Sequence, residues 1–266
     1  MLRGLLIYFF GGLFKFILQK DFRKLFFLGL RLVIFPVQKF RINGQPFIIN
    51  DKLGFFWQYH EIYYREYYRF DTTTTTSINI IDCGANIGLS TFWFAKHYPG
   101  ANIYSFEADT EIFEKLKQNL APITSPNVHI LNQAVYVKNE KISFLSDGKD
   151  GGMIVESTGN NSVEAIDFSN YLDSFTNIDM LKIDIEGAER ILIPHIAKHF
   201  PKIKNIFIEY HQRENETPFL ADILQQLENA GFTYRMEVPV KLAQPFVNKK
   251  IVNGCFLQAN IFATRL

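Results

Sequence analysis

Short apolar runs alternate with amphipathic segments along most of the chain. The runs are typical of buried strands, whereas the segments between them repeat apolar residues at the spacing of a helix. This alternation predicts an α/β fold in which a mostly parallel sheet has helices on both faces. The predicted strands are residues 78–82, 102–106, 128–131, 180–183, 205–208, 232–235 and 255–263, and the predicted helices are 87–97, 110–120 and 218–230. Residues 139–166 break the rhythm and are expected to form a hairpin insertion or a loop over the active face.

The first 76 residues show a different pattern. A hairpin is predicted over residues 40–49, where an Asn-Gly pair supplies the turn. A tyrosine-rich helix over about 57–70 follows, and a threonine-rich polar stretch at 72–77 marks a junction. The sequence therefore predicts two parts, an N-terminal helical and hairpin extension at 1–76 and an α/β domain at 77–266.

Basic charge is concentrated at the amino terminus. Residues 1–41 contain eight Lys and Arg residues against one Asp, a net charge of +7, so the rest of the chain carries −6 of the total of +1. A helical arrangement puts the charges and the apolar side chains on opposite sides, with Lys20, Lys24 and Arg31 on one side and Phe22, Leu25, Phe26 and Val33 on the other. Residues 1–35 could therefore hold the protein on an anionic membrane surface, or the helix could cover the core with its apolar face.

The distribution of charged residues, cysteines and apolar runs limits the binding partners and the cellular compartment that we expect for this protein. Nucleic-acid binding is disfavoured, because the basic residues have aliphatic neighbours and the rest of the chain is acidic. Cys83 and Cys255 lie inside apolar runs, so they are expected to be core residues of a protein in a reducing compartment. The charge-free apolar run at residues 4–14 is too short to cross a bilayer. We therefore expect a cytoplasmic protein, with peripheral association with the inner membrane face as an option.

The strongest chemical signal lies in residues 78–90. They form an apolar strand that ends near Asp82, a glycine-containing turn and the start of a helix. A second apolar strand is followed by Glu107, at the distance expected for one strand–helix–strand unit. In such folds an acid at this second position binds the ribose hydroxyls of a cofactor. The pattern therefore predicts a nucleotide-type or nucleoside-type cofactor site.

Asp82 limits the type of cofactor. A carboxylate at the end of the first strand would repel the pyrophosphate of a dinucleotide, and Asn86 stands where a dinucleotide fingerprint has a glycine. S-adenosylmethionine has no phosphate, and it offers an ammonium group, a sulfonium and a ribose to acids such as Asp82 and Glu107. It is the favoured cofactor. The alternatives are an NAD(P)-dependent oxidoreductase on the same sheet and a catalytically silent cofactor-binding module.

Five segments resemble, in order, those of the FkbM-type S-adenosylmethionine-dependent methyltransferases: IDCGANIGLS, IYSFEAD, LNQAVY, KIDIEGAE and FIEYH. The KIDIEGAE string is the most specific to that family. The resemblance implies a class I methyltransferase core, which is a Rossmann-like, mostly parallel sheet of seven strands whose last two strands are antiparallel. It also implies transfer of a methyl group to oxygen, often a hydroxyl of a sugar or another secondary metabolite.

The same resemblance assigns the cofactor-binding residues. The loop with Gly84, Asn86 and Gly88 would pass under the methionine part of the cofactor. Glu107 would hold the ribose hydroxyls, and Ala134 and Val135 would flank the adenine. The complete predicted set is Asp82, Gly84, Asn86, Gly88, Glu107, Ala108, Ala134 and Val135.

Four polar residues follow the fourth and fifth strands of the predicted domain. Asp184 and Glu186 come after the fourth strand, and Glu209 and His211 alternate after the fifth. Because ligands of open α/β sheets bind beyond the carboxyl ends of the strands, these four are the candidate catalytic residues. They could deprotonate an acceptor hydroxyl, orient it, or hold a divalent cation. Either Asp184 or His211 could be the base, whereas Glu189 is expected only to charge the first turn of the next helix.

The sequence therefore predicts an S-adenosylmethionine-dependent O-methyltransferase that acts on a hydroxyl group of a sugar, a glycan or a related metabolite. Its partners would be small-molecule or glycan acceptors rather than nucleic acid. The identity of the acceptor does not follow from these residues, because it is selected by residues 1–76 and 139–166, where the resemblance is weakest. Metal dependence, the choice of base and the oligomeric state are equally open.

Overall fold

The computed structural model describes residues 20–34, 39–49, 51–72, 78–123, 125–145, 153–154, 161–214, 216–240, 242–244, 246–248, 250–252 and 254–265. The strands are β1 (Lys39–Ile42), β2 (Gln45–Ile48), β3 (Asn79–Cys83), β4 (Asn102–Phe106), β5 (Val128–Leu131), β6 (Ala134–Tyr136), β7 (Glu140–Leu145), β8 (Met153–Ile154), β9 (Asn161–Asp167), β10 (Ile178–Ile183), β11 (Ile203–Arg213), β12 (Thr233–Glu237) and β13 (Cys255–Thr264). The α-helices are α1 (Lys20–Ile34), α2 (Lys52–Tyr59), α3 (Leu89–His97), α4 (Thr110–Leu120), α5 (Phe168–Asp173), α6 (Glu189–Ile196) and α7 (Leu220–Asn229).

Seven strands form the central sheet in the order β12-β13-β11-β10-β3-β4-β5. The five strands from β11 to β5 are parallel, whereas β13 runs antiparallel to both β11 and β12. The carboxyl ends of β3, β4, β10 and β11 therefore lie along one edge. The strand order reverses between β10 and β3, and ligands of open α/β sheets bind at such a reversal.

Each face of the central sheet has its own apolar cluster. Strand alternation explains the division, because Phe207 of β11 packs into one cluster while its neighbours Ile206 and Ile208 pack into the other. The first cluster also takes side chains from α3 and α4, and the second from α5, α6 and α7. The prediction of an α/β fold with helices on both faces is therefore confirmed. Cys83 and Cys255 are free and buried, as expected for core residues.

The N-terminal extension shares the first cluster with the domain. Phe47 of β2 is fully buried, and its ring lies 5.8 Å from that of Phe92 in α3. Tyr68 packs against Phe207 at a centroid distance of 5.0 Å. The extension is thus attached through a common core rather than resting on the surface. The predicted boundary between residues 76 and 77 falls outside the described residues.

Helix α1 covers the core with one side only. Leu25, Leu28 and Leu32 are buried, while Phe27, Leu30 and Ile34 are 58%, 43% and 58% exposed. The predicted separation of a basic from an apolar side also involves Lys20, Phe22, Lys24 and Val33, whose side chains lie outside the described part of the structure. Among the described residues, no helix combines the length and the apolarity needed to cross a bilayer.

Two predicted segments differ in detail from the structure. The prediction of a tyrosine-rich helix at 57–70 was wrong at both ends. Helix α2 begins at Lys52, and it continues as a π-helical segment that ends at Tyr64, His60–Tyr64. The Asp51 side chain accepts a hydrogen bond from the Gly54 amide and so caps the earlier start, and Glu66 turns the chain with a φ of 50°. The insertion at 139–166 contains an antiparallel hairpin, β7–β9, within a second sheet of order β6-β9-β7-β8.

Asn119 of α4 ties the extension to the domain. Its Oδ1 accepts from the Ile48 amide at 2.6 Å, and its Nδ2 donates to the carbonyls of Ile48 at 3.1 Å and Ile87 at 2.9 Å. Asn119→Ala is expected to lower the free energy of unfolding by about 2–4 kcal/mol, because these bonds are lost and a buried amide is left without its acceptor. Urea unfolding followed by circular dichroism measures the difference.

Asn127→Ala is the matched control, since the Asn127 side chain makes one 3.4 Å surface bond to Gly100. Its effect should stay within about 0.5 kcal/mol. If Asn119→Ala lowers the free energy of unfolding by less than about 1 kcal/mol, the hydrogen bonds of Asn119 are not what attaches the extension to the domain.

Candidate active site

The predicted site residues lie at the edge formed by the carboxyl ends of four parallel strands. Glu107 follows β4, Asp184 follows β10, and Glu209 and His211 belong to the last part of β11. The backbone amide of Asp184 donates to the carbonyl of Cys83 at 3.2 Å, which continues the pairing of β10 with β3. The cofactor loop after β3 and the acids after β10 are therefore neighbours.

The loop after β3 approaches β10 so closely that only glycine fits. Gly84 has a φ of 79°, and a Cβ atom at this position would lie 1.8 Å from the carbonyl oxygen of Asp184. Asn86 also has a positive φ, 49°, and Gly88, directly before α3, has a φ of 87°. The three predicted turn residues thus shape a loop that is held against the neighbouring strand.

Both carboxylate oxygens of Glu107 are held by backbone amides. Asn86 N–H donates to Oε2 and Asp109 N–H donates to Oε1, each at 2.8 Å. Burial raises the pKa of Glu107 to about 7, although these two hydrogen bonds oppose the shift. Each carboxylate oxygen has a second lone pair, so the group is oriented to accept from adjacent hydroxyls of a ligand.

Asp82 is fully buried beneath the loop. Its Oδ2 accepts hydrogen bonds from the hydroxyls of Ser90 at 2.6 Å and Thr91 at 3.0 Å, which lie in the first turn of α3. Its Oδ1 lies 3.3 Å from the ammonium group of Lys182. Asp82 therefore fixes the start of α3 from below, and its direct contact with a cofactor stays a prediction.

Lys182 is a central residue of the site that sequence reasoning missed. Its ammonium group donates to the carbonyl of Gly84 at 2.8 Å and lies 3.4 Å from Asp184 Oδ2. Burial alone would lower the pKa of Lys182, but the charges of Asp184, Asp82 and Glu209 outweigh it and raise the pKa. Lys182 is thus a buried cation that joins the cofactor loop to the acids of β10.

The two residues predicted to flank the adenine come shortly after β5. Ala134 and Val135 are buried at the start of β6, which pairs with β9 rather than with the central sheet. Ala108 is partly buried and packs against the small apolar cluster that contains Ala134. Val135 packs instead into the second cluster of the central sheet. Contact of Ala134 and Val135 with adenine stays a prediction.

The four candidate catalytic residues form one cluster. Asp184, Glu186 and His211 each offer a ligand atom within 4.8 Å of the other two. Glu209 Oε1 lies 3.8 Å from His211 Nε2 and accepts a hydrogen bond from Gln258. The side chains of Asp184 and Glu186 are each 26% exposed, so a ligand can reach them. Burial raises the pKa of Glu186 to about 7.

Glu189 was expected only to charge the first turn of a helix, but it also contacts His211 of this cluster. It is fully buried at the start of α6, and its oxygens accept from the amides of Ile185 at 3.0 Å and Gly187 at 2.8 Å. Its Oε1 lies 3.5 Å from His211 Nδ1. Burial opposes a charged His211, but Glu189, Glu186 and Glu209 raise its pKa well above the ordinary value.

The N-terminal extension contributes an acid to the same region. Glu61 lies in the π-helical segment, and such segments are frequent at functional sites. Burial, together with the charge of Asp184, raises the pKa of Glu61 to about 7. The neighbouring Arg65 pairs with Glu237 at 2.7 Å, and Tyr67 donates to the same carboxylate at 2.6 Å. Glu237 lies 172 positions from Arg65 and 170 from Tyr67 in the chain, so helical spacing gives no sign of these contacts.

Asn260 is a further polar residue that the sequence did not reveal. It is fully buried in β13, directly opposite Glu209 of β11 and Glu237 of β12. Neither atom of its amide has a hydrogen-bond partner among the residues that the structure describes. A buried polar group without a hydrogen bond lowers the stability of the fold by about 1–3 kcal/mol. The Asn260 amide therefore destabilises this part of the sheet.

Strand order and comparison with known families identify the class of protein. The order of the central sheet, with β13 inserted antiparallel between β11 and β12, is that of the class I S-adenosylmethionine-dependent methyltransferases. The model of the methyltransferase FkbM domain matches residues 82–234, and the chain belongs to this family. The predicted family, fold and enzyme class are thus confirmed. The alternatives of an NAD(P)-dependent oxidoreductase and of a silent binding module were wrong.

Two curated relatives are also methyltransferases. Methyltransferase 1 of Beauveria bassiana (strain ARSEF 2860) is 22% identical over 187 residues, which cover 60% of this chain and 74% of the relative. Methyltransferase sdnD of Sordaria araneosa is 24% identical over 191 residues, which cover 58% of this chain and 73% of the relative.

Two solved structures match most of the length of the chain. Magnesium protoporphyrin IX methyltransferase from Synechocystis PCC 6803 with bound S-adenosylmethionine has a TM-score of 0.47 and 10% identity, and the match covers 95% of this chain and 94% of the other. The N-terminal domain of EvdMO1 with bound S-adenosylhomocysteine has a TM-score of 0.45 and 13% identity, with 89% and 93% covered.

Glu107→Ala is expected to weaken S-adenosylmethionine binding by about 1.5–3 kcal/mol, or about 10–150-fold, because charge-assisted bonds to the ribose hydroxyls are lost. Isothermal titration calorimetry measures the change. Glu111→Ala is the matched control, since the Glu111 side chain is 69% exposed on α4, where it pairs with Lys115. Equal affinity of the Glu107 variant and the native protein would contradict the assignment of Glu107 to the cofactor.

Proposed function

We propose that this methyltransferase transfers the methyl group of S-adenosylmethionine to a hydroxyl oxygen of a sugar, a glycan or a related small metabolite. The observation that carries the proposal is the cluster of Asp184, Glu186, Glu209 and His211 beside the cofactor loop. When bound, the cofactor supplies a methyl group that its sulfonium already activates. The protein then has two tasks, which are to position the acceptor oxygen and to remove its proton.

Asp184 and His211 are the candidates for removal of the proton. Asp184 follows β10 next to the cofactor loop and is partly exposed, so an acceptor hydroxyl can reach its carboxylate. His211 is 3% exposed and lies among Glu186, Glu189 and Glu209, which favour its protonated form. A histidine that already carries a proton is a poor base. The surroundings therefore favour Asp184 as the base and His211 as an orienting group.

The charges around the site favour an uncharged acceptor. Asp184, Glu186 and Glu209 lie together, and Glu61 of the extension is electrostatically coupled to Asp184. The cations among them are engaged, since Lys182 contacts Asp82 and Asp184 while Arg213 lies 3.4 Å from Glu186 Oε2. An anionic acceptor would be repelled, whereas a hydroxyl group donates hydrogen bonds to carboxylates.

The test is a search for the missing methyl group. Glycans and small metabolites from cells with and without the gene are compared by mass spectrometry, and the acceptor found is then methylated in vitro with labelled S-adenosylmethionine. A product that carries its label on oxygen supports the proposal. A labelled nitrogen, carbon or sulfur atom, or a labelled nucleic acid, would overturn it.

Asp184→Asn keeps the size of the side chain and removes its charge. With the acceptor from that comparison, the single-turnover rate is expected to fall by about 10²–10⁴-fold if Asp184 takes the proton. The affinity for S-adenosylmethionine should change little. Asp222→Asn, at an exposed position in the first turn of α7, is the control. An unchanged single-turnover rate in the Asp184 variant would remove Asp184 from the chemical step.

We also propose that residues 1–35 hold the enzyme on the cytoplasmic face of a membrane without crossing it. Helix α1 supports this, because Phe27, Leu30 and Ile34 are exposed on it at helical spacing while its other side is packed on the core. Arg23 and Arg31 are exposed on the same helix. The net charge of +7 over residues 1–41 complements an anionic lipid surface.

Two variants separate the apolar from the electrostatic part of this attachment. Replacing Lys20, Lys24 and Arg31 with Gln should remove a salt-sensitive part of about 1 kcal/mol for each residue, whereas Phe27→Ser with Leu30→Ser should remove a part that salt does not weaken. Co-sedimentation with anionic vesicles at low and high salt measures both. Ile191→Ser, at an exposed apolar position of α6, is the control. If the native protein does not sediment with the vesicles even at low salt, the membrane proposal is wrong.

A further inference from the structure

Three side chains converge at the carboxyl end of β10 in a geometry suited to a cation. Asp184 directly follows the strand, Glu186 lies in the next turn, and His211 comes from the adjacent strand β11. One ligand atom from each lies within 4.8 Å of the others. Imidazole and carboxylate groups at such distances are a donor set for divalent transition metals.

The orientation of His211 is an independent sign of a ligand. Its side chain is 4% exposed, and its Nε2 lies 3.9 Å from Glu186 Oε2 and 3.8 Å from Glu209 Oε1, which is beyond hydrogen-bonding distance. The ring therefore directs Nε2 toward two carboxylates of the cluster. Its Nδ1 is buried and has no hydrogen-bond partner among the residues that the structure describes.

Glu189 holds the other side of the ring. Its Oε1 lies 3.5 Å from His211 Nδ1, and two backbone amides fix the carboxylate. A carboxylate behind the second nitrogen of a histidine is the usual support of a metal-bound imidazole, since it sets the tautomer that leaves Nε2 free to bind. Glu189, fully buried, has this position.

The charge of the side chains around His211 also favours binding of a cation. Asp184, Glu186, Glu189 and Glu209 surround His211, and Lys182 is shared between Asp184 and Asp82. Arg213 lies 3.4 Å from Glu186 Oε2, but its stronger bond, at 2.9 Å, goes to the carbonyl of Glu186. The carboxylates outnumber Lys182 and Arg213, and a bound ion would take the place of the proton that these carboxylates favour on His211.

We propose that Asp184, Glu186 and His211 bind a divalent first-row transition metal ion such as Mn²⁺, with Glu209 in reach as a further ligand and Glu189 supporting the histidine. The role of the ion rests on the proposed function: at this place it would bind and polarise the acceptor hydroxyl. The proton then leaves to a carboxylate of the cluster, and the new oxygen–methyl bond forms as the sulfur–methyl bond breaks.

Direct metal binding tests the proposal without an acceptor. The full chain is freed of metal with a chelator and titrated with Mn²⁺, and electron paramagnetic resonance counts the bound ions. We expect one site. Glu186→Gln and His211→Ala should each weaken it at least about tenfold, and Glu189→Gln, which leaves all three ligands in place, should weaken it about 10–100-fold. Glu114→Gln, at an exposed position of α4, should leave Mn²⁺ binding unchanged.

Calorimetry with S-adenosylhomocysteine on the same samples shows whether each variant keeps its fold. Absence of stoichiometric Mn²⁺ binding at millimolar concentration, by a native protein that binds S-adenosylhomocysteine, overturns the metal site. So does equal Mn²⁺ affinity in the native protein and in folded Glu186→Gln, whose side chain is partly exposed and easily replaced. If Mn²⁺ binds as expected but no hydroxyl acceptor is methylated, the metal site stands and the proposed function fails instead.

Discussion

One buried ammonium group connects the two halves of the active site. Lys182 lies in the interior of the sheet with 3% of its surface exposed, and a buried charge is tolerated only when it is paired. Its partners are Asp82 under the cofactor loop, Asp184 at the end of the next strand and the carbonyl of Gly84. The distance between cofactor loop and acid cluster is therefore set by an ion-pair network and by a glycine contact that admits no side chain.

The local motifs were the part that the sequence could predict. Strand periodicity, the turn with Gly84 and Gly88, and the acid at Glu107 depend on residues close together in the chain, and the structure agrees with them. Lys182 was missed, although a lysine inside an apolar strand is itself a signal, because such a charge must find partners. Glu61 and Asn260 could not have been found in this way. Their neighbours in space come from distant parts of the chain.

The extension and the domain depend on each other for the same reason. Tyr68 packs on Phe207 of β11, and Tyr67 donates to Glu237 of β12, so the segment that contains Glu61 is positioned by two strands of the domain. The sequence predicted an extension and a junction from changes of composition, and the junction lies outside the described residues. Whether an extension shares a core with the next domain is decided by side-chain contacts between them, which composition does not show.

The KIDIEGAE string has a physical explanation in this fold. Lys182 pairs with Asp184, and the turn that follows needs positive φ values of 58° at Glu186 and 103° at Gly187. The carboxylate of Glu189 closes that turn by accepting from the Gly187 amide.

The same Glu189 carboxylate also faces His211, so a single residue fixes both the turn that presents Glu186 and the strand partner that completes the cluster. A change at Glu189 would therefore disturb the loop and the histidine together. This coupling explains why acids three residues apart in the string, Glu186 and Glu189, have different environments, one partly exposed to a ligand and the other fully buried behind the site.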